Sequence, residues 1–257
     1  MPTRPPDEGL FYVATGECFL AEAIAAARAS RPHLGDRPVA VCTDDPETAR
    51  QSGAFDQVLC HPDPCRSYRD KILPLVRLPF RNTLFLDTDA RVIAPVQDLF
   101  SLLRHHQLAA AHAPVRRPQG WWDAAVPSTF PELNSGVLLL RRGLRQQALI
   151  RRWLRCYDQI GQAWDQASLR SAVWQGLSTG LRLAVLPPEA NLRTTKPWVV
   201  GKGMAVQVVH GRVPDSEWAA LLGYLNSDIQ RFRSSAEWLQ QFPDSALRTK
   251  VPPEPLG

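Results

Sequence analysis

Short uninterrupted apolar runs alternate along the chain with longer segments of helical composition. Leu10-Phe11-Tyr12-Val13-Ala14, Pro38-Val39-Ala40-Val41-Cys42-Thr43 and residues 55–60 are the first three runs, and an alanine-rich stretch over residues 18–29 separates the first two. An apolar run of strand length indicates a strand buried on both faces, and such runs interleaved with helices predict βαβ units and a mainly parallel sheet. The opening order of strand, helix, strand is that of a nucleotide-binding half-domain, in which ligands sit beyond the carboxyl ends of the strands.

The pattern continues. Residues 68–78 read as a helix that Pro74 either kinks or delays. Arg81-Asn82 turns the chain into the apolar strand Thr83-Leu84-Phe85-Leu86, closed by Asp87-Thr88-Asp89, and Arg91-Val92-Ile93 forms a short strand after it. Residues 95–103 carry a helical turn or two, and residues 108–112 a small strand. Residues 113–131 then lose all periodicity and hold Trp121-Trp122, and an irregular stretch of that length inside a domain is usually functional or mobile. A polar turn at Glu132 feeds the strand ending in Val137-Leu138-Leu139-Leu140. Helices follow over 144–160 and from Asp165 to Val173, strands over 183–186 and 205–209, and a short amphipathic helix over 235–242 precedes a Pro-rich tail. No repeat or low-complexity linker divides the chain, so residues 1–257 read as one domain: a nucleotide-binding half (1–110), a donor and acceptor half (111–226) and a C-terminal helix and tail (227–257).

Composition narrows the partners. With 257 residues and 44% hydrophobic content the chain can bury a substantial core. No apolar run reaches the ~18 residues of a membrane span, and MPTRPPDEGL lacks the apolar segment of a secretory signal. The expected location is cytoplasmic, with peripheral contact at the inner membrane face as the variant that the charge allows. The net charge of +5, mostly arginine, suits phosphate-bearing partners. Nucleic acid is not expected, since charge alone speaks for it and no recognition motif accompanies it. Arg141-Arg142, Arg145 and Arg151-Arg152 read as the solvated face of a helix. The five scattered cysteines lack zinc-ribbon spacing and read as free thiols in a reducing compartment.

The chemistry gathers at strand ends. Asp87 and Asp89, at i and i+2 on an extended strand, are expected to point the same way and to offer hard oxygen donors to Mg²⁺ or Mn²⁺ carrying a diphosphate. A bare DxD is common, but one that closes a wholly apolar strand is a stronger signal. His210, just past the last apolar run, offers a neutral imidazole nitrogen as a third ligand. Gly211 would allow close backbone approach to a phosphate, and Arg212 would add charge. Asn134-Ser135-Gly136 offers an amide and a hydroxyl to sugar hydroxyls, although turn chemistry accounts for the same residues. Asp165-Gln166 reads either as a helix N-terminus or as a pair holding sugar hydroxyls near the anomeric carbon.

In this order, FLDTDARV, LNSGVLLLRR, DQASL, LPPEANLR and VVHGR resemble the retaining glycosyltransferases of the GT-A fold, especially family 8 and its relatives, over residues 10–212. The resemblance implies an α/β fold, a GT-A-type Rossmann-like sandwich with a mainly parallel central sheet flanked by helices. It implies Mn²⁺ or Mg²⁺ on Asp87, Asp89 and His210, and a nucleotide-sugar donor, by family habit a UDP-sugar. Ala14 and Thr15 would touch its base or ribose, Asn134 and Ser135 its sugar, and Asp165 and Gln166 would lie at the reacting centre. Arg69 and Lys71 match basic donor-contacting positions, and Thr88 sits within the DxD. Retention of anomeric configuration is implied by the resemblance alone. The acceptor stays open among glycan, lipid-linked glycan and small molecule, because the Trp-containing stretch over residues 119–130 lacks a counterpart. Lys196-Pro197-Trp198 precedes the histidine where the family has KPW after it, so no phosphate role passes to Lys196. Two other readings compete: a sugar-nucleotide nucleotidyltransferase, disfavoured because ATGECFLAEA holds one glycine and no lysine, and a catalytically silent nucleotide-sugar-binding protein.

Overall fold

The computed structural model describes residues 7–113, 123–160, 164–194, 203–232 and 234–243. Its first strands are β1 (Glu8–Ala14), β2 (Val39–Thr43) and β3 (Gln57–Cys60), joined by helices α1 (Glu17–Ser30) and α2 (Pro46–Gln51). The sequence pattern missed α2, a short helix that Asp45 caps by accepting the Thr48 N–H. After α3 (Arg69–Ile72) the chain tightens into a 3₁₀ turn over Leu73–Val76. The helix expected across residues 68–78 is therefore broken, because Pro74 has no N–H to continue the α-helical ladder.

Next come β4 (Asn82–Leu86), β5 (Ala90–Val92), α4 (Gln97–Leu102), β6 (Leu108–His112) and β7 (Leu133–Arg141). The hairpin of α5 (Leu144–Ile160) and α6 (Asp165–Leu177) leads to β8 (Leu183–Leu186), β9 (Leu192–Arg193) and β10 (Val208–His210), and α7 (Asp215–Asn226) and α8 (Ser235–Gln241) follow. The strand expected over 205–209 begins three residues later and takes in His210. Neither β9 nor α7 was evident from the pattern.

The central sheet has seven strands in the order β3-β2-β1-β4-β7-β6-β8. Only β7 runs against its neighbours; the other pairings are parallel. This is the expected mainly parallel sheet flanked by helices. Side chains alternate across it. Leu84 and Leu86 of β4 join Leu10, Tyr12, Val137 and Leu139 on the α1 face, whereas Phe85 joins Phe11, Leu138, Leu140 and Trp153 on the α5–α6 face. Both faces are covered, hence the unbroken apolar runs.

A second sheet, β5-β10-β9, carries His210. A separate apolar cluster backs it, with Val209 and Leu192 against Leu221, Leu225, Trp238 and Phe242 from α7 and α8. Trp238 and Phe242 thus pack inward. Among the described residues no helix is long and apolar enough to cross a membrane. All five cysteines are free. Trp121, Trp122, Lys196 and the Pro-rich tail lie outside the described residues.

Candidate functional site

Beyond the carboxyl ends of β1 and β4 the chain leaves the core. Asp87 and Asp89 do not lie on an extended strand, as their spacing suggested. β4 stops at Leu86, and the Ala90 N–H donates to the Asp87 carbonyl at 3.0 Å, closing a turn across the two acids. The carboxylates converge because the turn folds them together. One end of the turn is held by the Asp87 N–H, which donates to Gly136 O at 2.8 Å, and the other by the Gly211 N–H, which donates to Asp89 O at 2.9 Å.

His210, 3% exposed, completes the group. Its Nε2 lies 3.4 Å from Asp89 Oδ1 and 3.9 Å from Asp87 Oδ2. One ligand atom from each of Asp87, Asp89 and His210 lies within 4.8 Å of the others. Burial alone would raise the Asp89 carboxyl, but His210, with Arg212 and Arg193 behind it, holds it well below the usual carboxylate range. The close approach depends on Gly136: a Cβ there would stand 2.2 Å from His210 Cε1 and 2.6 Å from Asp87 Oδ2.

Lys71 brings a cation to the site. Its Nζ reaches both Asp87 oxygens at 3.1 and 3.2 Å, Asp165 Oδ2 at 2.9 Å and Ser135 Oγ at 3.0 Å. Burial would lower its basicity, but Asp165 and Asp87 more than reverse this, and the ammonium titrates above its ordinary range. Arg69 does not join it. Two positions on a helix differ by about 200° around the axis, and Arg69 turns outward to pair with Asp158 and Asp63.

Ala14 and Thr15 lie at the end of β1, where Thr15 Oγ1 donates to Asp70 at 2.7 Å. The same buried carboxylate accepts the N–H groups of Cys65 and Arg66, anchoring the loop before α3. Burial raises the Asp70 carboxyl, but the Cys65 thiol, 2.9 Å away, together with these N–H and hydroxyl donors outweighs that and holds it below its ordinary value. Thr88 donates to Glu22 at 2.8 Å. Arg212 forks onto Glu22 at 2.6 and 3.1 Å and lies 3.6 Å from Asp89. Gly211, with φ +145°, leaves room for Thr194, whose Oγ1 would stand 2.0 Å from a Cβ. The close neighbour at this glycine is therefore protein.

Asn134 and Gln166 are almost fully buried, and their amides are bonded to each other at 2.6 Å. Four residues that sequence reasoning left without a role belong to this arrangement: Glu22, Asp70, Glu132 and Asn191. Glu22 had one visible signal, an acid within the alanine-rich segment that packs on the sheet. Asn191 closes the LPxxxN pattern within LPPEANLR, part of the family resemblance, which gave it no role.

No family model matches the sequence, and no curated protein matches it either. Solved structures do resemble it. Mouse xyloside xylosyltransferase 1 in its apo form superposes with a TM-score of 0.54 at 14% identity, covering 81% of this chain and 100% of that one. An active-site mutant of LgtC gives 0.55 at 16%, covering 96% and 98%. The glycosyltransferase GlyE of Streptococcus pneumoniae TIGR4 gives 0.55 at 14%, covering 92% and 60%. At such identities the likeness is one of fold: this chain has the fold of the GT-A glycosyltransferases, and Asp87-Thr88-Asp89 stands at the strand end as a DxD motif.

Proposed function

We propose that the protein is a metal-dependent glycosyltransferase that moves a sugar from a nucleoside-diphosphate sugar, by resemblance a UDP-sugar, to an acceptor hydroxyl with retention. The observation that carries this reading is the convergence of Asp87, Asp89 and His210, from a turn and a strand far apart in sequence. Two carboxylates and an imidazole fit a divalent cation, and the nitrogen donor favours Mn²⁺ over Mg²⁺. A cation bound there would neutralise charge on the leaving diphosphate and hold it in place.

The protein's own groups divide the remaining work. Ala14 and Thr15 would line the nucleoside side, with Thr15 held by Asp70. Ser135 and Lys71 would face the donor sugar, Lys71 kept charged between Asp87 and Asp165. Asp165 would lie beside the reacting bond, fixed at the start of α6 by the Trp153 Nε1–H on its carbonyl. Arg212, oriented by Glu22, would face the diphosphate with Gly211 and Thr88 beside it. Gln166 keeps one amide hydrogen and one lone pair for the sugar, and Asn134 one amide hydrogen, because Gly136 and Asn191 already occupy both acceptor sites of the Asn134 oxygen. Arg69 is the least suited of the expected donor contacts, because it points away from Lys71.

Support for a sugar donor and acceptor also comes from LgtC, a galactosyltransferase whose structure with donor and acceptor sugar analogues shares this fold with a TM-score of 0.53. The test is turnover of a panel of nucleotide sugars, measured as nucleoside diphosphate release with and without Mn²⁺. Asp87→Asn and Asp89→Asn should each reduce Mn²⁺-dependent turnover at least ~10²-fold, the scale of losing one strong electrostatic contact to the transition state. Unchanged turnover in both variants would sink the reading. Nucleotide-sugar binding without turnover would favour a silent binding protein, and pyrophosphate-dependent nucleotide exchange a nucleotidyltransferase.

A further inference from the structure

Five buried side chains form one hydrogen-bonded line that ends on His210. Gln166 Nε2 is 2.8 Å from Glu132 Oε1, Asn134 Nδ2 is 2.6 Å from Gln166 Oε1, and Asn191 Nδ2 is 2.8 Å from Asn134 Oδ1. Asn191 Oδ1 then lies 3.0 Å from His210 Nδ1. None of the five is more than 5% exposed, so the line is screened from solvent.

The direction of this line is set at two points. A carboxylate only accepts, so Gln166 must turn its NH₂ to Glu132 and its oxygen to Asn134. That requires Asn134 to donate to Gln166 and to face Asn191 with its oxygen. The Gly136 backbone N–H, which only donates, lies 3.1 Å from the same Asn134 oxygen and imposes the same orientation. Asn191 therefore gives its NH₂ to Asn134 and its oxygen to the imidazole. Turning Asn191 over would set two acceptor oxygens against each other in a buried site, where neither finds a donor to replace the one it loses.

We propose that Asn191 is a positioning residue: it accepts the Nδ1–H of His210 and thereby presents Nε2 to the pocket between Asp87 and Asp89. Outer partners of this kind set the tautomer and ring orientation of metal-binding histidines. The inference rests on the metal reading of the site and adds a device that builds it. Glu132 and Gly136 act through Asn134, so an acid at position 132 and a backbone amide at position 136 together orient a ring that lies in the other sheet.

The test is Mn²⁺ binding to the full chain, without nucleotide, followed by electron paramagnetic resonance at one neutral pH. Asn191→Leu removes the acceptor and should weaken Mn²⁺ binding about 10–100-fold. Asn191→Asp keeps an acceptor toward Nδ1 while losing the bond to Asn134. It should bind Mn²⁺ much more tightly than the leucine variant, although it is the less stable protein. A purely structural role predicts the opposite ranking, with affinity following stability. Because either variant can misfold, the wild type supplies a second measurement: with Zn²⁺ as a diamagnetic probe, ¹⁵N spectra should show the His210 proton on Nδ1. A proton on Nε2 overturns the inference, as does wild-type Mn²⁺ affinity in folded Asn191→Leu. Mn²⁺ binding that Asp87→Asn leaves unchanged overturns the metal reading of the site and this inference with it. Binding lost in Asp87→Asn and retained in Asn191→Leu overturns the inference alone.

Discussion

Gly136 shows how closely the site is packed at the residue scale, because two candidate ligands occupy the space its side chain would take. Gly136→Ala forces His210 and Asp87 apart. Overpacking of this kind costs about 1–3 kcal/mol. It should also weaken Mn²⁺ binding in calorimetric titration more than any change of similar stability cost made elsewhere in β7. Asp70 contributes to acid sensitivity instead. Its folded carboxyl titrates below the ordinary value of 3.8, so its contribution to stability is full above that value. The contribution is lost as the pH falls through the lowered folded value, because the unfolded chain takes up the proton first. Asp70→Asn should therefore lower the melting temperature at neutral pH and flatten its further fall below about pH 4. A melting profile parallel to wild type across that window would contradict the assignment.

At the scale of elements, the hairpin of α5 and α6 links packing to chemistry. Trp153 is fully buried in the core between this hairpin and the sheet. Its indole N–H lies within 3.0 Å of the Asp165 carbonyl and 3.1 Å of Ser168 Oγ, which fixes the first turn of α6. Trp153→Phe should cost about 1–2 kcal/mol through the lost hydrogen bond and some lost volume. Trp153→Ala should cost about 3–5 kcal/mol. Urea denaturation separates the two. If Asp165 owes its position to this bond, Trp153→Phe should also reduce turnover by more than its effect on stability accounts for.

At the scale of the molecule, the candidate metal ligands come from opposite sides of a seam. Asp87 and Asp89 follow the central sheet, and His210 ends a strand of the small sheet backed by α7 and α8. Several bonds cross the seam: Tyr12 Oη donates to Ala90 O, Ser30 Oγ accepts the Val92 N–H, and Arg212 forks onto Glu22 of α1. One face of the small sheet rests on the small core of α7 and α8, while Ala90, Val92 and Val208 of the other face pack into the large core, so losing the small core should loosen this sheet before the large one. Leu221→Ala, costing about 2–5 kcal/mol, should speed hydrogen exchange at Val208–His210 while β4 amides keep their protection. Equal acceleration in both sheets would mean a single cooperative unit.

The sequence by itself determined the strands of the central sheet, because continuous apolar runs have few other places to go than a sheet covered on both faces. It also marked Asp87, Asp89, His210 and Ser135, since acids, imidazoles and hydroxyls at the ends of buried strands must face a crevice or water; Asp165 stood out at a helix start, and Lys71 through the family resemblance alone. Tertiary structure decided the rest. Lys71 was separated from Arg69 by helix geometry, and the DxD pair met through a turn rather than through strand alternation. Glu132, Asn134, Gln166 and Asn191 have meaning only as a line of partners. A hydrogen bond between residues 57 positions apart, such as that from Asn191 to Asn134, leaves no periodicity or composition in the sequence. It exists because the sheet and α6 bring those amides together where no water can replace either one.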